Sequence, residues 1–306
     1  MAAQSLLLAL LFLLLAAFPG QLANKTWEEN KGEISGWFAR GGAVAARIRS
    51  SLAAFWTRRL GVIVFIVLSA LLYGFLSPDF GPSAESAAAL IGILAGLVVI
   101  ILAFELPLML THRRLHQGRG RLQVIPLTLF LGILCVAFSR IADFQPGYLY
   151  GLVATFAFAG TLQLRDEARA HAMTAVWMLV VALAAWLALP LIEDQLAAQP
   201  LLAMGVAAGL ATIFVGGLEG LLFELVPLRF LRGDKVYAWR RGVWAVLFLA
   251  AAFTFAYVLL DPSNGYLGST RVSPLVPAMI LFLTFGMASI LFWGYFRFRP
   301  ARPNAA

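Results

Sequence analysis

Charge is what this 306-residue chain lacks most: Asp, Glu, Lys and Arg make up 12% of it, against 61% hydrophobic residues. A soluble domain carries about a quarter charged residues, so lipid must be the solvent for most of this surface. Cysteine is nearly absent. Its one copy, Cys135, sits inside an apolar run, which excludes an intrachain disulfide framework or thiolate metal site and leaves it a packing residue. The three lysines all fall outside the apolar runs, so a membrane Ser-Lys dyad has no base. His112, His116 and His171 fall in basic loops, and the pair four residues apart, His112 and His116, supplies too few ligands for a metal. Phosphate-cradling Gly-rich loops, a Gly-x-Ser-x-Gly elbow and a His-Glu-x-x-His pair are missing as well. No catalytic residue, metal or cofactor is expected, and the chain does not read as an enzyme.

What it has is long apolar runs, at about 3–18, 61–77, 87–110, 124–141, 147–163, 173–191, 201–227, 243–260 and 274–295. Each approaches the roughly 20 residues that span hydrocarbon, and runs this long exclude barrel strands. The first is not a secretory signal, because no Lys or Arg precedes it while seven follow in residues 19–60. The expected fold is an all-α integral membrane protein of about nine transmembrane helices.

The net charge of +8 does not indicate nucleic acid, because the basic residues lie in short clusters between apolar runs. Counted over alternate loops, 21 Lys and Arg fall on one side and two, Arg140 and Arg271, on the other. The positive-inside rule then places the N-terminus outside and the C-terminus in the cytoplasm. In the longest loop Ile34, Trp37, Phe38, Val44, Ile48, Leu52 and Phe55 recur at helical spacing among Arg40, Arg47 and Arg49. That pattern suits an amphipathic helix on an anionic inner leaflet, or one packed on the other cytoplasmic loops.

Two stretches repeat at an offset of 118 to 120 residues: Phe104-Glu105-Leu106-Pro107-Leu108 against Phe223-Glu224-Leu225-Val226-Pro227-Leu228, and Asp143 with Gly147-Tyr148-Leu149 against Asp261 with Gly265-Tyr266-Leu267. They divide the chain into an N-terminal anchor helix (1–20), a basic amphipathic loop (21–59), a four-helix membrane repeat (60–170) and a second such repeat with a basic tail (171–306). An even number of helices per copy makes the repeats parallel.

Few polar residues lie inside the runs. Gly205, Gly209, Gly216 and Gly220 fall within about 60° on one helix face, with Gly92 and Gly96 as a shorter counterpart, a small-residue stripe for close helix packing. Glu105, Glu219 and Glu224 are intramembrane acids, functional candidates by default. At helical rise Glu224 lies roughly 7 Å from Arg229 and Glu105 roughly 12 Å from Arg113, within reach of ion pairs. Glu219 falls near the bilayer midplane, either hydrogen-bonded across helices or part of a proton or cation relay. Asp79, Asp143, Asp194 and Asp261 each follow an outward-running helix, as caps and turn residues or as an outer acidic ring.

The run Gly217-Leu218-Glu219-Gly220-Leu221-Leu222-Phe223-Glu224-Leu225-Val226-Pro227-Leu228-Arg229-Phe230-Leu231, with Phe18-Pro19-Gly20, Asn24, Glu28-Glu29-Asn30 and Gly36-Trp37-Phe38, resembles bacterial, chiefly actinobacterial, FGLLP-motif membrane proteins. Glu224 stands where that motif has Gly, and Val226 where it has Leu. The resemblance implies a bacterial cytoplasmic membrane and an outside N-terminus, and brings no assigned activity. The functional expectation is a non-catalytic multi-pass body that anchors or couples a protein partner or envelope component. Its alternative is a proton- or cation-coupled transporter or channel using Glu219.

Overall fold

The computed structural model describes residues 2–34, 55–56, 58–77, 79–115, 121–124, 127–141, 154–157, 162–196, 198–229, 231–259 and 275–298. Among them the chain is helical apart from one pair of four-residue strands. In order the elements are α1 (Ala2–Glu29), α2 (Arg59–Gly74), α3 (Ala84–Arg114), β1 (Arg121–Val124), α4 (Leu127–Ile141) and β2 (Ala154–Ala157). They continue with α5 (Leu164–Gln195), α6 (Pro200–Leu225), α7 (Arg232–Trp239), α8 (Arg241–Thr254) and α9 (Leu275–Phe298). Among the described residues five helices, α1, α3, α5, α6 and α8 with its extension to Val258, are long and apolar enough to cross a membrane.

Local chemistry explains where these helices begin. Ser83 caps α3 by accepting from the Ser86 N–H at 3.1 Å, with Glu85 in the first turn and Arg113 and Arg114 in the last, so charge opposes the helix dipole at both ends. Pro200 opens α6 where its missing N–H costs nothing. Pro107 lies inside α3, and there the carbonyl of Phe104 accepts from Thr174 Oγ1 at 3.3 Å and Arg232 Nη1 at 3.2 Å. Neighbouring helices thereby satisfy backbone that a proline loosens.

Two expectations change. Within 147–163 the described residues 154–157 form β2, paired antiparallel with β1, Ala154 opposite Val124 and Ala157 opposite Arg121. Thr155 is β-branched and Phe156 aromatic, residue types that suit a strand, and a short apolar run carries no period that separates strand from helix. The first helix also runs on through Pro19 to Glu29, so the basic loop begins later than residue 21. The amphipathic pattern after Ile34 lies almost wholly outside the described residues.

The core joins Ala9, Phe12 and Ala16 of α1, Met178 and Ala182 of α5, Phe214, Leu218 and Leu221 of α6, and Phe248, Ala251 and Ala252 of α8. Alanines alternate with aromatics because small residues let helices approach where lipid provides no hydrophobic drive. Closest of all are α3 and α6. A Cβ on Gly96 would stand 2.7 Å from the Gly209 carbonyl oxygen, one on Gly209 would stand 3.0 Å from that of Gly92, and one on Gly92 would be driven into that of Gly205.

Candidate functional site

The C-terminal ends of α3 and α6 meet the N-terminal ends of α5 and α8 at one end of the bundle, and α7 packs against three of them. Val226 leaves α6 in an extended conformation before Pro227, which turns the chain back and aims Arg232 between the helices. Its guanidinium pairs with Glu105 through Nη2 and with Glu224 through Nε, the latter at 3.0 Å. The cation lies 5.8 Å from the Phe104 ring centroid. Glu105 is 1% exposed, and Glu224 and Arg232 are 15% exposed. Burial pushes the guanidinium toward losing its proton, but the carboxylates of Glu224 and Glu105 outweigh it and hold the proton more tightly than usual. The two sequence-related Phe-Glu segments thus meet on one arginine. The nearby cations Arg113 and Arg229 are not their partners in this site: Arg229 pairs with Glu28 at 2.7 Å.

Beside this triad the end of α1 is fastened to the same turn. Asn24 Nδ2 donates to the Pro227 carbonyl at 2.9 Å and to Asp234 Oδ1 at 3.2 Å, while Asn24 Oδ1 accepts from the Arg229 N–H at 2.9 Å. Gln21 donates to the Tyr237 hydroxyl, and a Cβ on Gly20 would stand 3.1 Å from Pro227. One amide side chain so satisfies backbone on both sides of a proline turn. Replacing Asn24 by Ala is expected to lower stability by about 2 kcal/mol, from several hydrogen bonds worth roughly 1 kcal/mol each. Faster tryptic cleavage at Lys25 and Lys31 than in the wild type would report it.

Asp234 titrates in this clasp. Burial raises its pKa, against the pull of Lys235 and Arg229 and together with the push of Glu28. A carboxyl whose folded pKa is raised contributes stability that is full below its unfolded pKa and is lost as pH rises through the folded pKa. Asp234→Asn, which cannot ionise, is therefore expected to gain in melting temperature relative to wild type as pH climbs through the acidic range, with a constant difference by neutrality.

The remaining candidates are dispersed. Glu219 is 1% exposed in α6, in the first turn of regular helix after a widened π turn at Thr212–Gly216. Gly205, Gly209, Gly216 and Gly220 all face α3, against Ala88, Gly92, Ile100 and Phe104 in turn, and Gly216 also meets Tyr73 of α2. Asp79 is exposed after α2. Asp194 lies in the last turn of α5, and Asp143 and Asp261 lie outside the described residues. His112 and His171 belong to helices, not loops: both are buried, and Glu167 lies 3.8 Å from His171 and 3.6 Å from Lys235. Among the described residues no group of three His, Cys, Asp or Glu is arranged to hold a metal. Cys135 lies in α4.

The apolar helices point to a membrane protein with an ionic triad and a polar clasp at one end. The chain matches no protein-family model, no curated protein and no solved structure. Arg232 and Asn24 carry most of the site's polar contacts, yet Asn24 stands out in sequence only through the resemblance and Arg232 not at all. The only local signal is Pro227 between an apolar helix and the short polar segment that contains Arg232.

Proposed function

We propose that this chain is a non-catalytic multi-pass membrane body that couples a protein partner or envelope component to the bilayer. In this reading it crosses a bacterial cytoplasmic membrane as a bundle of apolar helices, with the N-terminus outside and the basic loops and C-terminus inside. The resemblance to FGLLP-motif membrane proteins belongs to it: the two stretches that carry that likeness, around Asn24 and around Pro227, are joined in the clasp.

The observation that carries the reading is the fastening of α1. Its apolar length packs on α8 and α9 while Gln21, Asn24 and Glu28 grip the turn after α6, so displacement of α1 by a partner is transmitted to the triad at Arg232. Affinity purification in mild detergent is expected to recover a stoichiometric membrane or envelope protein. Repeated recovery of the chain alone, with envelope assembly unchanged on deletion, would overturn the proposal.

The second reading, a proton- or cation-coupled transporter or channel, draws on Glu219, buried beside a widened turn of the kind common at functional sites. The coupling role predicts that reconstituted wild type and Glu219→Gln show the same flux of protons and monovalent cations as empty liposomes at every pH. A pH-dependent flux that Glu219→Gln abolishes would transfer the assignment to transport.

A further inference from the structure

An apolar groove of about 640 Å³ opens between the C-terminal half of α3 and the N-terminal halves of α5 and α8, within the range of about 300–1,000 Å³ typical of ligand sites. Pro107, Leu110, Met173, Val176, Val243 and Leu247 form its walls, with Trp177 among them and Arg114 at its end. The groove has a direction. On α5 Arg169 lies one turn before Met173, on α3 Arg114 lies one turn after Leu110, and Arg240 directly precedes α8, three residues before Val243. All three arginines are exposed. Trp239 gathers two of them, with Arg169 at 5.8 Å and Arg240 at 5.3 Å from its ring. Glu167, the acid beside them on α5, is already faced by Lys235 and His171.

From Arg169 to Val180 the groove runs roughly 16 Å at helical rise, about half the roughly 30 Å of a hydrocarbon core. It therefore extends from headgroup level to the bilayer centre, one leaflet deep. Apolar walls along that depth and cations only at its mouth are complementary to a molecule with an acyl tail and a single anionic head. We propose that this groove is a binding site for one anionic glycerophospholipid, its chain along Val176 and Leu247 and its phosphate among Arg114, Arg169 and Arg240. The inference rests on the membrane reading, whichever leaflet the basic end faces, and is independent of coupling or transport.

Trp177, 45% exposed on the groove wall, provides the readout. The full chain is reconstituted in vesicles of phosphatidylcholine and phosphatidylglycerol in which one or the other lipid carries brominated chains, and the emission lost between wild type and Trp177→Phe is followed. Brominated phosphatidylglycerol is expected to quench Trp177 at a mole fraction about tenfold lower than brominated phosphatidylcholine, a preference equal to about 1.4 kcal/mol. Arg114→Gln with Arg169→Gln should abolish the preference while leaving quenching by phosphatidylcholine intact. If that double variant does not reconstitute, Arg114→Gln alone should reduce the preference severalfold. Equal quenching by the two lipids means annular lipid only and overturns the site, as does a preference that survives the arginine changes. Quenching by neither lipid would instead remove the membrane reading on which the site depends.

Discussion

Replacing Arg232 by methionine is expected to lower the unfolding free energy in detergent by about 3–5 kcal/mol, because it leaves two buried carboxylates without their cation. Glu105 is 1% and Glu224 15% exposed, so water cannot take over the role of the guanidinium. The substitution also removes one of the two side-chain donors to the Phe104 carbonyl, leaving Thr174 Oγ1. Most of the loss comes from stranded charge, so it should be recoverable. Arg232→Met combined with Glu105→Gln and Glu224→Gln is expected to regain more than half of the lost stability, since replacing a whole buried ionic group is often close to neutral. Denaturant titration of the single, double and triple variants measures the coupling directly. A triple variant as unstable as Arg232→Met would show that packing around the long side chain, not charge, makes this residue important.

The triad also marks where sequence reading stops. The long helices were legible, since α3, α5, α6, α8 and α9 each coincide with an apolar run whose length is set by hydrocarbon thickness. Glu105 and Glu224 were legible as costly acids, each after a phenylalanine and before a leucine. Their partner was not. Neighbours along the helix, Arg113 and Arg229, are the natural first assignment at 1.5 Å per residue, but the chain turns at Pro227 and brings Arg232 to Glu105 across 127 positions of sequence. Asn24 reaches Arg229 across 205. No periodicity encodes such distances, because they depend on how whole helices pack. The stretch 147–163 failed for the opposite reason: its local signal was too short to separate a helix from the strand that pairs with Arg121–Val124.

Gly92→Ala is expected to be the most damaging single methyl that can be added to the described part of the chain, costing more than about 3 kcal/mol, beyond the usual range for an overpacked core. The new Cβ would collide with the carbonyl oxygen of Gly205 and stand 3.0 Å from the Gly209 amide nitrogen, and backbone on both sides offers no rotamer through which to yield. The helices must separate instead. Separation would spread along α3 and α6, because Gly96 also sits close to Gly209 and Thr212, and it would pull Glu105 away from the arginine it shares with Glu224. A cysteine pair across the contact is too close to tolerate, so the informative measurement is thermal unfolding of Gly92→Ala beside Gly242→Ala, whose Cβ meets nothing within 4 Å. The control should stay within about 1 kcal/mol of wild type, since its methyl enters open space. Helix propensity favours alanine in both variants, so equal loss in both would mean that interhelical approach does not set the cost, and the direct contact between α3 and α6 would lose its claim to hold the bundle together.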